Sequence, residues 1–145
     1  MGNDDKINTN LASEYHVLSC LHRIGANAYL TLGNKKSVDI IVEKNDSILT
    51  IDVKGLRDES NFPIDNWTKK DKNHFFAFVS YNKKIQDTNH TPEIYIVPAN
   101  ELELTRTEFD GQSVIYVNPK GNRKVVQLSR LRKLKKYKDN WKPFI

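Results

Sequence analysis

The chain predicts a mixed α/β domain in the order αβββαβ, with a mixed central sheet flanked by helices. Three observations carry that prediction. An apolar helical stripe lies between Leu11 and Ile24 and is closed by Gly25. Two β-branched runs, VDIIV and ILTIDV, are separated by the turn-formers Asn45 and Asp46. The nearly continuous apolar run HFFAFVSY, residues 74–81, reads as a buried strand. A polar connection precedes it that is long enough for the crossover a parallel return requires.

In chain order, Thr9 or Asn10 is placed to cap the first helix, whose stripe is Val17, Leu18, Leu21 and Ile24. Ala26 to Leu32 reads as the first strand, and the hairpin follows. Leu56 to Asn73, with Pro63 and Trp67, has room for a crossover helix. Glu93 to Pro98 is the strand after HFFAFVSY, closed by its proline. Asn100 is placed to cap a short helical turn through Leu104, and Ser113 to Val117 is a further extended segment. Leu128, Leu131, Leu134 and Tyr137 recur at three-residue steps and predict an amphipathic helix.

The hairpin concentrates charge. A two-residue loop at Asn45-Asp46 makes Lys44 face Ser47, and pairing counted outward from there sets Asp39 opposite Asp52. Alternation puts Lys54 on the Asp52 face. Like charges directly opposed on adjacent strands repel, and half-burial among Val, Ile and Leu raises the cost. Lys54 offsets part of it, and a hard divalent cation such as Mg²⁺ or Mn²⁺ would offset more. The alternative is an ion triad on a solvated sheet face. Glu14 shares the helical stripe with Val17 and Leu18, so it is either an acid aimed at the core or one near the helix start reaching water.

Helical Glu, helix-ending glycine, strand, Asp, hairpin and Asp-x-Lys together resemble the layout of the PD-(D/E)xK nuclease superfamily. Its Holliday-junction-resolvase-like and small restriction-endonuclease-like branch is the most similar. The matching residues are Glu14 in Ala-Ser-Glu-Tyr, Asp39, and Asp52-Val53-Lys54 after twelve intervening residues. Asp39 follows Val38 rather than the proline of the motif's name, and Asp52 stands where Glu is commoner. The resemblance implies a restriction-endonuclease-like fold and a Mg²⁺- or Mn²⁺-dependent nuclease. It makes Asp39, Asp52, the Val53 carbonyl and Glu14 the metal ligands, and Lys54 a base or an electrostatic clamp. It also implies a homodimer.

The wider composition is compatible with that expectation. At 145 residues, 38% hydrophobic and 10% aromatic, the chain has the size and content of one globular domain spanning residues 1–145. A single cysteine, Cys20, excludes an internal disulfide and reads as a packing residue. The polar start and the lack of any membrane-length apolar run predict a cytoplasmic protein without membrane attachment. The net charge of +5 suits a polyanion such as DNA. Lys35 and Lys36 before the Asp39 strand, and Lys69, Lys70 and Lys72 after Lys54, are candidate phosphate contacts or solvated loop charges. The basic run from Leu128 to Lys138 reads either as an amphipathic helix packed by its leucines with its charges in water, or as a nucleic-acid or membrane-surface helix.

Other chemistry is weakly signalled. His16, His22, His74 and His90 have no zinc-ligand spacing, and His74 at a strand entrance reads as structural. The glycines form no phosphate loop. Trp67, Tyr81, Tyr95 and Tyr116 are core aromatics or base-stacking platforms. Two classes of function remain: a metal-dependent DNA endonuclease, with branched or otherwise structured DNA among its candidate substrates, and a non-catalytic nucleic-acid-binding module or accessory subunit.

Overall fold

The computed structural model describes residues 3–32, 38–65, 67, 72–102, 115–118 and 123–145. Helix α1 (Asn3–Arg23) opens the chain. Strands β1 (Asn27–Leu30), β2 (Ile40–Lys44), β3 (Ser47–Leu56), β5 (His74–Ser80) and β6 (Glu93–Pro98) form one sheet in the order β1-β2-β3-β5-β6. Only the β3–β5 pairing is parallel; its neighbours are antiparallel, so the sheet is mixed. Strands β4 (Asn61–Pro63), β8 (Arg123–Gln127) and β7 (Ile115–Asn118) form a second, three-stranded sheet in that order.

The hairpin loop is as tight as the sequence predicts. Asn45 and Asp46 adopt φ of 49° and 63°, the left-handed pair of a two-residue turn that suits the twist of the flanking strands. Lys44 pairs with Ser47, and the register holds to Ile40 opposite Ile51.

The central sheet separates two apolar layers. On one face, Val17 and Leu21 of α1 pack with Ile40, Val42, Ile51, Val53, Ala77, Val79 and Ile96. The chain end closes this layer: the Phe144 ring meets Phe75 edge-on at 4.9 Å, and Lys44 Nζ donates to the Pro143 carbonyl at 3.1 Å. On the other face, Phe76, Phe78, Tyr95 and Val97 pack under Phe62 and Val126 of the second sheet and Ile64 just past it, with Leu128, Leu131, Leu134 and Tyr137. Each fully buried side chain of this size contributes about 1.5–3 kcal/mol. Tyr81 and Tyr95 are therefore core residues.

Several boundaries differ from expectation. Helix α1 begins at Asn3, so Thr9 and Asn10 lie inside it; the Thr9 hydroxyl donates back to the Asp5 carbonyl at 2.7 Å. Strand β1 stops at Leu30. The connection from β3 to β5 contains β4 and, among its described residues, no helix. Asn100 sits within a 3-10 turn, Ala99–Glu101, entered from Pro98 without a side-chain cap. The expected basic helix is only α2 (Leu128–Leu131), followed by a 3-10 turn at Lys135–Tyr137. Its four apolar residues are all buried nonetheless, because a three-residue step suits tight turns as well as a helical edge. Strand β8 was not expected; its consecutive valines, Val125 and Val126, gave no alternation to read.

The basic tail is tied to β6 by a charged cluster. Arg132 donates to both Glu93 oxygens at 2.9 Å and to Glu59 at 2.7 Å, while the Tyr95 hydroxyl donates to Glu93 at 2.6 Å. The Arg132 hydrogen bonds, helped by Tyr95 and Asn82 and opposed by burial, hold the Glu93 carboxyl down to about 2. A depressed carboxylate contributes stability above its ordinary value, about 4.3, and loses it as pH falls through the folded value. The urea midpoint is therefore expected to drop between about pH 4.5 and 2, and Glu93→Gln to flatten that segment. A wild-type-like acid slope in the variant would refute the assignment.

Candidate functional site

The buried polar residues separate into two groups. Thr9, Ser13 and Ser80 satisfy their hydroxyls on backbone carbonyls of Asp5, Thr9 and Asp58. Glu14 and Asp52, each 6% exposed, are buried acids, and burying a carboxylate is costly without a compensating partner.

Asp52 lies in the middle of β3, paired with Phe76 of β5, and Lys54 is paired with Phe78. Both therefore project from the sheet face opposite α1, beside the second apolar layer. Lys54 Nζ stands 3.5 Å from Asp52 Oδ2, with side-chain exposures of 25% and 8%. The ammonium keeps contact with water while the carboxylate is nearly enclosed.

Asp39 sits where β2 leaves the ladder. Continued by one residue, the observed register sets it opposite Asp52. The backbone departs from regular pairing at this point. The Asp39 N–H donates to the Ile51 carbonyl at 3.0 Å although Ile51 is already the partner of Ile40. Two successive residues thus address one, as in a β-bulge, a device that bends a strand and re-aims a side chain. Asp39 Oδ2 accepts the Val53 N–H at 2.7 Å. One Asp39 oxygen is thereby fixed beside the peptide joining Asp52 to Val53. Thr31 holds the bulge from the β1 side, its hydroxyl donating to the Val38 carbonyl at 2.5 Å and its N–H to the Asp39 carbonyl at 2.9 Å.

Glu14 is carried by α1, whose Val17 and Leu21 pack on the Ile51 and Val53 face of the sheet, and its side chain is buried. Among the described residues, no group of three or more His, Cys, Asp or Glu side chains is placed to hold a metal ion. The structure thus brings Asp39, Asp52 and Lys54 to one stretch of the hairpin, and Glu14 stands buried on the helix that packs on the same sheet. Lys35, Lys36, Lys69 and Lys70 lie outside the described residues. Lys72 is exposed just before β5.

His74, which the sequence reads as structural, forms a polar pair with Thr50 along the same face. Thr50 pairs with His74 across β3 and β5, and Thr50 Oγ1 is 2.7 Å from His74 Nδ1. The contact depends on the parallel register, which has no signal in the local sequence.

Fold and site together define a mixed α/β protein with a charged hairpin at the centre of its sheet. Its chain path resembles that of a bacterial homing endonuclease, I-Ssp6803I, with 14% identity, a TM-score of 0.43, and coverage of 63% of this chain and 64% of that one. The chain thus spans slightly less than two thirds of that protein. No protein-family model and no curated protein matches the sequence. No helix among the described residues is long and apolar enough to cross a membrane.

Proposed function

We propose that the chain is a metal-dependent endonuclease of PD-(D/E)xK type that hydrolyses phosphodiester bonds of DNA. The observation that carries this reading is the pinning of Asp39 onto the Val53 amide while Asp52 and Lys54 flank the same residue. Two carboxylates and an intervening carbonyl form a hard oxygen donor set. Mg²⁺ is commonly held by one or two carboxylates together with waters and substrate phosphates, so two acids are sufficient.

In this reading Asp39, Asp52 and the Val53 carbonyl hold Mg²⁺ or Mn²⁺, which when bound supplies Lewis acidity beside the scissile phosphate. The hydrogen bond from Val53 fixes Asp39 in advance, and a carboxylate that accepts one N–H retains lone pairs for a cation. Lys54 has two roles within reach: to position the attacking water, and to offset charge that develops on the phosphate oxygens. Glu14, buried on α1, is the remaining acid of the proposal, and Glu14→Gln is expected to cost less activity than Asp52→Asn. Lys35, Lys36, Lys69 and Lys70 complete the proposal as sequence-neutral phosphate contacts. A homodimer would present two such sites to a duplex.

The decisive assay is cleavage of plasmid, single-stranded and branched DNA with Mg²⁺ or Mn²⁺ and with chelator, using Asp52→Ala as control. Cleavage that needs both the cation and Asp52 is the expected result. DNA binding that is unaffected by metal and never followed by cutting would identify a non-catalytic binding module or accessory subunit instead.

A further inference from the structure

Helix α1 carries a second apolar stripe that the fold does not use. Val17 and Leu21 are fully buried against the sheet. Ile7, Leu11 and Tyr15 stand on an outward edge of the same helix, 55%, 42% and 56% exposed. Their four-residue spacing continues to half-buried Leu18, so this edge is apolar over about three turns. A surface helix ordinarily turns charged and polar residues to the side away from the core. Aligned apolar side chains left exposed on a rigid element mark an interaction surface.

The same edge is charged at its ends, with opposite signs. Asp4 opens it one turn before Ile7, and His22 closes it one turn after Leu18 with Arg23 alongside; all three are exposed. Asp5, the other acid of the first turn, is taken up by Arg57 at 3.5 Å. The edge thus runs from acid through an apolar centre to base, about a midpoint level with Ser13. Such a pattern complements itself when reversed. Two copies of α1 laid antiparallel about a twofold axis at that level set Leu11 against the partner subunit's Tyr15 and Ile7 against the partner subunit's Leu18. Asp4 then meets the partner subunit's His22 and Arg23, and the two helix dipoles oppose each other favourably. A parallel pairing would instead set acid against acid and base against base.

We propose that this edge of α1 is the contact surface for a second copy of the chain, joined as an antiparallel, twofold-symmetric helix pair. The nuclease reading includes a homodimer without saying where its copies meet; the α1 edge supplies the place and depends on none of the chemistry. Asp52 and Lys54 project from the sheet face opposite α1, so the pairing leaves both candidate sites uncovered. A contact along one helix of 21 residues, about 31 Å long, lies at the small end of specific interfaces, near or below about 1,200 Å². The dimer is therefore reversible, with a Kd on the micromolar scale.

The test is sedimentation of the full chain from about 1 to 200 μM, with thermal midpoints taken at the dilute end. Wild type is expected to pass from 16.8 kDa to twice that mass. Leu11→Lys and Tyr15→Lys each enter a twofold contact twice, and each is expected to raise the dimer Kd at least about a hundredfold with an unchanged midpoint. Asp4→Lys should raise it about tenfold. Adding Arg23→Glu to Asp4→Lys should recover most of the affinity, because the reversed charges again meet their opposites. Ile48→Lys, at an exposed apolar residue on the other face of the sheet, should leave the Kd within about twofold. A wild type that stays monomeric throughout overturns the proposal, as does a dimer that Leu11→Lys and Tyr15→Lys leave intact. Lowered midpoints in both of those variants at monomeric dilution would assign the stripe to the monomer's own packing and also overturn it. A double charge reversal that recovers nothing overturns the antiparallel pairing. A protein that dimerises through α1 but never cuts DNA loses the nuclease reading alone, and a monomer that cuts loses the interface alone.

Discussion

Asp52→Asn is expected to lower kcat for metal-dependent DNA cleavage by about 10³-fold or more while the protein stays folded. The substitution keeps the shape of a side chain that is 8% exposed and removes its charge. Neutralising it eliminates the desolvation cost of a buried carboxylate, and Lys54, a quarter exposed, retains water around its ammonium. The thermal midpoint gives a second readout independent of turnover. A cation that binds only the folded state stabilises it by about 2.7 kcal/mol at a concentration a hundredfold above its Kd. Mn²⁺ should raise the midpoint of wild type and not that of Asp52→Asn. Equal shifts in the two proteins would place the cation elsewhere, and undiminished cleavage by the variant would end the proposal.

Gly55→Ala is expected to be among the most damaging small substitutions in the chain. Gly55 lies on β3 where α1 crosses it, and an added Cβ would run into the Ser13 hydroxyl while lying 3.0 Å from Ser13 Cβ and 3.2 Å from the Thr9 carbonyl. Both helix atoms belong to α1's buried face, so relief requires the helix to lift from the sheet. Overpacking of this kind costs about 1–3 kcal/mol, visible as a lower urea midpoint. Lifting α1 also disturbs Arg57, whose Nε donates to Thr9 at 3.0 Å. Ser13→Ala in the Gly55→Ala background removes the hydroxyl clash but not the Cβ contact, so a partial recovery is expected. A Gly55→Ala protein as stable as wild type would show that α1 is not seated as closely as the structure has it.

Legibility in the sequence varied with how local the determining physics is. The Asn45-Asp46 hairpin was readable because a two-residue loop fixes its own register, and the β5 and β6 runs because continuous apolarity marks burial. The adjacency of Asp52 and Lys54 followed from strand alternation alone. The basic run breaks into α2 and a 3-10 turn, and the described residues between β3 and β5 hold β4 in place of a helix, for the same reason. Leu128 to Tyr137 and Phe62 to Ile64 take their conformation from the shared layer they build over Phe76 and Phe78, not from their own periodicity.

The sequence by itself determined the charged hairpin and the identity of the buried strands, because turn chemistry and side-chain alternation act over a few residues. Only the tertiary structure decided that Asp39 arches out of its ladder onto the Val53 amide, that α1 seats Ser13 against Gly55, and that His74 meets Thr50. Those three placements depend on how distant segments stack across and along one sheet, and no local preference of the chain encodes that distance.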